Sequence, residues 1–345
     1  MRANRDVKLM SHDELKHELL LEELEKKKWH RYWQAIKKDW PLYAMLVPVI
    51  IYFFIFRYMP IYGIMAAFKN QTDLTLGVGD APFSGFYAFR SLIAGDYAKE
   101  FWQAFRNTFA ISMYGLIFGF PVPIILALFF SEIKSDIYRS ITQILTYLPK
   151  FISTVVITSI ITLMLYEGNE PHQSAGILTT LFTNLGVIEE GTRMMKEPQY
   201  FRSIYIISGI WEGAGYGSIV YFAAIMAISP TNYEAARIDG ANKLAQIRYV
   251  TLPGMAPTLT IMLILRIGEI LSVGYEKVLL LYDASTYATA DVISTFVTRI
   301  GGLMGGATVS LNTAASADLF NSIIAMFLVL GANFISRRVS DTSLF

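Results

Sequence analysis

The chain has 345 residues, 54% hydrophobic and 17% charged, with a mean hydropathy of +0.42. Soluble domains average about 45–50% apolar and about 25% charged residues, so the composition favours a membrane-embedded helical bundle over several soluble domains. The formal net charge of +1 argues against nucleic acid as a partner. The absence of cysteine excludes disulfides and thiolate sites, and the absence of an HExxH histidine pair argues against zinc hydrolase chemistry.

Residues 1–40 form a segment with a much higher charge density than the rest of the chain. They contain ten Lys/Arg and eight Asp/Glu, with leucines at helical spacing followed by Trp29, Trp33 and Trp40. We interpret this segment as an amphipathic helix at a membrane surface, with its tryptophans at headgroup depth. A solvated charged helix without a specific role is the alternative, and a signal peptide is not expected because no short apolar core follows.

Six apolar segments follow in residues 41–345, the predicted membrane domain. Each is close to the ~20 residues that cross a hydrocarbon core of ~30 Å. The predicted spans run over about 42–66, 108–130, 141–165, 203–228, 255–275 and 319–336. Charged residues inside spans are costly in lipid and are expected to face the bundle interior or water; here they are Arg57, Lys150, Glu212, Arg266 and Glu269.

The distribution of basic residues predicts the orientation. With the N-terminus inside, 17 of the 29 Lys/Arg fall in cytoplasmic segments. The positive-inside rule therefore places both termini in the cytoplasm. The two long external loops, about 67–107 and 166–202, are rich in Gly, Pro and Tyr and are expected to be structured.

The cytoplasmic loop 229–253 between the fourth and fifth spans has the pattern of a compact helical hairpin. Thr231 and Glu234 have the spacing of a capping box, which predicts a helix start. Asp239-Gly240 then predicts a tight turn with positive φ. A second short helix is expected from Ala241 to about residue 250, with Pro253 opening the next span. A loop this ordered is unusual unless it docks onto a partner.

The spacing within this loop resembles the EAA motif of ABC importer permeases. The motif reads EAA, three residues, Gly, nine residues, then I-x-LP. The matching positions are Glu234, Ala235, Ala236, Gly240, Leu252 and Pro253, and Val250 conservatively replaces the isoleucine of the motif. An ordinary connecting hairpin is the alternative. The segments 42–69, 105–126, 147–153 and 291–337 also resemble permeases of the carbohydrate-uptake subfamily, close to the maltose and alginate systems.

The resemblance implies an all-α membrane protein of about six transmembrane helices, with the type I ABC importer fold and a cytoplasmic coupling helix. No P-loop occurs in the sequence, so this chain is not expected to be an enzyme or to bind a cofactor; ATP and Mg would bind two separate ATPase subunits. The implied ATPase-coupling residues are Glu234, Ala235, Ala236, Asp239, Gly240, Ala241, Leu252 and Pro253. Other implied partners are a second permease in a heterodimer, an extracytoplasmic solute-binding protein and a carbohydrate, at a prokaryotic cytoplasmic membrane.

The substrate pathway is expected along the fourth and fifth spans. Gly213 and Tyr216 stand where maltose-type permeases contact sugar, and Glu212 shares the helix face of Tyr216. On the fifth span, Arg266, Glu269 and Val273 share a face, with Ser272 beside them. The resemblance places Arg266, Glu269, Ile270 and Val273 where those permeases line the cavity. Two structural alternatives remain open. Arg266 and Glu269 could neutralise each other, and the glycines of the fourth span could serve only close helix packing.

Two other classes of function are alternatives. An ABC permease for a non-sugar solute is compatible with the composition. A membrane enzyme or a channel is less consistent with the sequence, because neither a clustered acid–base set nor a carbonyl-lined selectivity filter is apparent.

Overall fold

The computed structural model describes residues 32–70, 77–168, 174–302 and 309–339. Most of the predicted amphipathic segment, residues 1–31, lies outside this range; residues 32–38 are helical and exposed. The chain divides into two compact units, residues 1–64 and 65–345. In the first unit no residue of the helix Trp40–Phe53 is buried.

The described residues of the second unit are almost entirely helical. The helix Trp40–Phe53 of the first unit is α1, and its helical run continues through wider and then tighter turns to Phe68. The helices that follow in chain order are α2 Tyr87–Ala94, α3 Ala98–Gly119, α4 Pro121–Glu132, α5 Asp136–Tyr147, α6 Thr154–Met164, α7 Ile177–Asn184, α8 Pro198–Met226, α9 Pro230–Ile238, α10 Lys243–Gly254, α11 Ala256–Gly268, α12 Tyr275–Leu281, α13 Tyr287–Ala290, α14 Ile293–Ile300 and α15 Leu311–Val339.

By length and composition, three helical runs are long and apolar enough to cross a membrane: Trp40–Phe68, Ala98–Glu132 and Leu311–Arg337. Three bent helix pairs pass the same test when each pair is taken as one span: α5 with α6, α8 with α9, and α10 with α11. The described helices therefore accommodate all six predicted segments. The two loops that were predicted to be external also contain helices, α2 in the first and α7 in the second.

Two predicted spans differ from straight helices. The segment 141–165 bends by 98° between Phe151 and Thr154, where Ser153 caps α6 by accepting a hydrogen bond from the Val156 amide. The segment 255–275 ends as a helix at Gly268 and turns before α12 begins. At the first break, the polar N-cap of α6 overrides the apolar periodicity that suggested a continuous helix.

The hydrophobic core of the second unit lies where α2, α3, α14 and α15 meet. Phe101 of α3 is fully buried there, and its ring contacts Phe296 and Phe320 at centroid distances of 6.1 and 5.4 Å. A second cluster joins α4, α8 and the turn before α11 through Ala127, Tyr221 and Met255. The second of these clusters packs α8, which carries the fourth predicted span, against α4.

Helix α8 makes its closest approach at Gly215. A side chain at this position would overlap the backbone carbonyl of Thr146 at the end of α5. The neighbouring glycines differ: Gly217 is in ordinary contact distance of Pro123, and a methyl group at Gly213 would meet nothing within 4 Å. Close helix packing therefore requires a glycine at position 215 but not at position 213.

This difference predicts the effect of two matched substitutions. Gly215→Ala should destabilise the protein by about 1–3 kcal/mol, because the added methyl group forces α8 and α5 apart. Gly213→Ala, two residues earlier on the same helix, should leave stability nearly unchanged. Thermal unfolding of the two purified variants in detergent measures the effect, and equal unfolding midpoints would contradict the packing described for α8.

Candidate functional site

The loop 229–253 begins with α9, whose first residue is Pro230. The predicted capping box is not formed: Ser229 takes the N-cap position, and Thr231 lies inside the first turn with its hydroxyl 2.7 Å from that of Ser229. Proline is favoured at the first helical position because its φ is already helical and its missing N–H would be unpaired there. The Ser229-Pro230 pair therefore sets the helix start two residues earlier than predicted.

The turn after α9 has the geometry that the sequence predicts. Gly240 has φ +81°, its amide donates to the carbonyl of Arg237 at 3.0 Å, and the Ala241 amide donates to Ala236 at 2.9 Å. These two bonds form a Schellman motif, in which a left-handed residue satisfies the last carbonyls of a helix. Ala236 thus takes part in the turn through its backbone, and Gly240 provides its conformation.

The second helix of the loop begins and ends later than predicted. Asn242 caps α10 by accepting a hydrogen bond from the Ala245 amide at 2.9 Å, so the helix starts at Lys243 rather than at Ala241. Pro253 lies inside α10, after a wide helical turn, and does not open the next span. The actual break follows at Met255, where α10 and α11 meet at a bend of 65°.

The loop presents apolar side chains to the cytoplasmic side of the expected topology. Ile238, Leu244 and Tyr249 are 87%, 74% and 70% exposed, and Glu234 is exposed beside them. Among the coupling candidates, Ala235, Asp239, Leu252 and Pro253 are also exposed, while Ala236 and Ala241 are half-buried. Large apolar side chains exposed together are typical of a docking surface.

One ion pair joins the loop to the rest of the chain, and one hydrogen bond joins the two helices of the loop to each other. The Lys243 ammonium lies 2.7 Å from the Glu132 carboxylate at the end of α4. The Tyr233 hydroxyl lies 3.1 Å from that of Thr251, which joins α9 to α10. A force on the loop therefore reaches α4 as well as the two helices that flank it.

A cavity of about 670 Å³ lies within the second unit, between α3, α8, α11 and the segment around α12. Seven of the eight pathway candidates line it: Glu212, Gly213, Arg266, Glu269, Ile270, Ser272 and Val273. Its volume is within the range of ~300–1,000 Å³ that small-molecule sites occupy. The structure thus brings together candidates from the fourth and fifth predicted spans.

Tyr216 is the one pathway candidate that is not part of the cavity lining. Its ring packs edge-on against Phe151, with centroids 5.9 Å apart. One helical turn separates it from Glu212, but the intervening Gly213 and the following Gly217 carry the cavity-facing surface of α8. Sharing a helix face in sequence was therefore insufficient to place Tyr216 in the cavity.

Glu212 is held between two lysines of the cavity. Its Oε1 lies 3.3 Å from Lys150 Nζ, and its Oε2 lies 3.2 Å from Lys277 Nζ. Lys150 sits at the break between α5 and α6, and Lys277 is on α12. The sequence interpretation noted Lys150 but missed Lys277, because this residue lies in the short helix beyond the fifth predicted span.

Arg266 and Glu269 also face the cavity, and both side chains are exposed to it. Within the described part of the chain, neither forms an ion pair or a side-chain hydrogen bond. The mutual neutralisation considered from their spacing is therefore not formed. Both charges are available to a molecule in the cavity.

Outside the predicted spans, an ion pair joins Arg299 to the buried Asp291. Arg299 Nη2 lies 2.8 Å from Asp291 Oδ2, and the Thr295 hydroxyl donates to Asp291 Oδ1 at 2.8 Å. Burial raises the pKa of the Asp291 carboxyl, and the Arg299 guanidinium beside it opposes the shift. Asn107 of α3 donates to the Asp291 carbonyl at 2.9 Å and joins this pair to the bundle.

The described residues contain no group of three or more His, Cys, Asp or Glu side chains that could hold a metal ion. The cavity instead contains charged side chains of both signs, three of them cationic: Lys150, Arg266 and Lys277. Such a site is equipped to bind a polar solute by ion pairing and hydrogen bonding.

Comparison with known proteins identifies the family of this chain. A family model described as the inner membrane component of binding-protein-dependent transport systems matches residues 119–273. Two relatives from Bacillus subtilis (strain 168) align along most of the chain. Protein LplB is 31% identical over 90% of this chain and 93% of its own length. The polygalacturonan/rhamnogalacturonan transport system permease protein YteP is 32% identical over 88% and 90%.

Solved structures give the same result for the fold. A chain of a bacterial ABC transporter involved in the import of the acidic polysaccharide alginate is 41% identical, with a TM-score of 0.76, over 90% of this chain and 99% of that chain. A bacterial alginate ABC transporter in complex with an alginate pentasaccharide-bound periplasmic protein has a chain that is 40% identical, with a TM-score of 0.77, over 91% and 100%. The expected all-α type I importer fold is confirmed. The chain belongs to the family of binding-protein-dependent transport system inner membrane components, and it is a transport permease rather than an enzyme.

Proposed function

We propose that this chain is the permease of an ATP-driven ABC importer that carries an acidic oligosaccharide or polysaccharide across the cytoplasmic membrane. The observation that carries the proposal is the cavity with its three cationic side chains, Lys150, Arg266 and Lys277. Arg266 is unpaired among the described residues and is suited to bind a sugar carboxylate through two parallel hydrogen bonds. Two of the relatives named above act on acidic polysaccharides, alginate and polygalacturonan, which supports the same class of solute.

The remaining cavity lining fits a saccharide. The Ser272 hydroxyl and the Glu269 carboxylate offer hydrogen-bonding groups for sugar hydroxyls, and Ile270 and Val273 offer apolar surface for C–H faces. Where maltose-type permeases have asparagines at these last two positions, this chain has aliphatic residues. We therefore assign recognition of charge to the lysines and to Arg266, and shape selection to the aliphatic side chains.

Transport requires partners that this chain does not contain. We propose a second permease in a heterodimer, two ATPase subunits that bind ATP and Mg, and an extracytoplasmic solute-binding protein. The periplasmic protein in the complex of the alginate transporter supports the last of these. Closure of the ATPase subunits would move the helices between inward-open and outward-open states by rigid-body rotation.

The loop 229–253 is proposed as the surface that receives the ATPase movement. The exposed Ile238, Leu244 and Tyr249 would be buried in the contact, and Glu234 would fix its register by pairing with a basic group. Residues 1–40 are proposed as a separate interfacial segment, and both termini as cytoplasmic. The domain 41–345 would then carry all functions in transport.

Arg266 provides a test of the pathway. Arg266→Met should lower uptake of an acidic oligosaccharide by about ten- to hundredfold, because a charge-assisted hydrogen bond is worth about 1.5–3 kcal/mol. Arg266→Lys should retain part of the activity, since the charge remains while the two-pronged geometry is lost. Uptake into proteoliposomes at matched amounts of assembled complex is the measurement. Full uptake by Arg266→Met would contradict the pathway.

Gly240 and Glu234 provide a test of the docking surface. Gly240→Val should strain the left-handed turn by about 1–3 kcal/mol and weaken the co-purification of the ATPase, whereas Gly240→Asn should be better tolerated because asparagine visits this conformation. Glu234→Lys should uncouple ATP hydrolysis from the solute more strongly than Glu234→Gln, because it sets like charges together. Retention of the ATPase and of full solute-stimulated hydrolysis by both Gly240→Val and Glu234→Lys would refute the coupling role.

The proposed orientation is tested by labelling, for which the natural absence of cysteine provides a clean background. Lys134→Cys, between α4 and α5, should be protected from an impermeant thiol reagent in intact cells. Asp96→Cys, before α3, should react. Both side chains are exposed in the chain, so access depends on the side of the membrane. The reverse labelling pattern would overturn the orientation.

A further inference from the structure

Glu212 is the acidic side chain of the cavity that is committed to internal ion pairs. Each of its carboxylate oxygens lies opposite one ammonium, Lys150 on one side and Lys277 on the other. Glu269, which caps the C-terminal end of α11, makes no such pair within the described residues. Glu212 and Glu269 are therefore not equivalent, although both line the cavity.

The two lysines differ in how tightly they are held. The side chain of Lys277 is 11% exposed, and its ammonium lies 5.5 Å from the centre of the Tyr205 ring. The side chain of Lys150 is 46% exposed and sits at the 98° break between α5 and α6. Lys277 is thus a fixed cation of the cavity wall, while Lys150 is accessible from the cavity.

Two ammonium groups in a cavity between membrane helices need a counter-ion, since an uncompensated charge in such surroundings costs several kcal/mol. Glu212 supplies it, but one carboxylate shared by two ammonium groups leaves this group of three side chains with a charge of +1. A second carboxylate is therefore attracted to the same place. When a carboxylate of the solute pairs with one of the two ammonium groups, one ion pair replaces another. No ammonium is then left without a counter-ion, so the cost of an unpaired charge is avoided.

We propose that Glu212 is an internal counter-ion that a carboxylate of the solute displaces from the lysines, which makes it a specificity-determining residue of the permease. The proposal rests on the proposed function, an acidic saccharide as solute. A neutral saccharide offers no charge to replace Glu212 and leaves the two ion pairs intact. An acidic saccharide competes for Lys150, the more exposed partner, in a cavity that Lys277 and Arg266 also line.

The exchange also connects solute binding to a joint in the fold. Release of Lys150 from Glu212 removes the ion pair that ties the α5–α6 break to α8. Solute binding would thereby loosen the contact between these elements, whereas the internal ion pair holds it in the absence of solute. The specificity element and the conformational restraint are the same two contacts of Glu212.

The experiment measures equilibrium binding of tetragalacturonate to the purified complex without its solute-binding protein, so that only the permease cavity is tested. Glu212→Gln removes the internal competitor and should lower the dissociation constant about tenfold. Lys277→Gln should raise it by a similar factor. Glu269→Gln removes the same charge from the same cavity without touching either lysine, and it should not reproduce the gain of Glu212→Gln.

Every outcome of this comparison is informative. Tighter binding by Glu212→Gln than by Glu269→Gln supports the proposal. Equal changes in the two variants would show a general effect of cavity charge, and unchanged or weaker binding by Glu212→Gln would show that Glu212 does not compete with the solute; either result overturns the proposal. If Glu212→Gln does not assemble, the double variant Glu212→Gln/Lys150→Gln, which keeps the local charge at +1, should still bind more tightly than the unmodified protein.

The proposed function is tested separately by uptake of tetragalacturonate into proteoliposomes that contain the unmodified complex and its solute-binding protein. Absence of uptake, with a neutral oligosaccharide or another solute transported instead, overturns the acidic saccharide as substrate. Uptake by the unmodified complex together with equal affinities of Glu212→Gln and Glu269→Gln overturns only the role of Glu212.

Discussion

The arrangement of the second unit depends on the two faces of α8. On one face, Gly215 allows the carbonyl of Thr146 to approach so closely that no side chain fits between them. On another, Glu212 and Gly213 face the cavity, where Glu212 pairs with two lysines. Because the end of α5 is held by this packing, the α5–α6 break that follows can place Lys150 within reach of Glu212. The close packing at Gly215 therefore helps to position Lys150 for its ion pair with Glu212.

The sequence predicted those features of the fold that follow from composition and local chemistry. Apolar length located the six segments, because crossing a bilayer requires about 20 apolar residues. The charged residues inside three of these segments indicated a shared interior, and Lys150, Glu212, Arg266 and Glu269 do line one cavity. The left-handed turn was predictable at Gly240, since a Schellman motif depends on a few neighbouring residues.

Other features depend on tertiary contacts or on competing local signals. The prediction of a capping box at Thr231 was wrong, because Ser229 and Pro230 provide a stronger helix start. The prediction that Pro253 begins the fifth span was also wrong, because α10 continues through this residue. The ion pairs of Glu212 involve partners 62 and 65 residues away. Hydrophobic periodicity along one helix carries no information on ion pairs between residues this far apart in the sequence. Lys277 was missed for this reason, and Tyr216 was assigned to the pathway although its ring packs against Phe151.

The position of the cavity residues relative to the loop 229–253 indicates how the two sites would communicate. The helices that carry Glu212 and Arg266, α8 and α11, are the ones that the loop joins, through bends of 69° and 65°. Helices transmit displacement along their axes as rigid elements, so a movement of the loop acts on both walls of the cavity at once. The Lys243–Glu132 pair adds α4, which packs against α8 through Ala127 and Tyr221. In the proposed function, ATPase movement would therefore change the spacing between Glu212 and Arg266 directly, because the proposed solute site is built on the same helices that the loop joins.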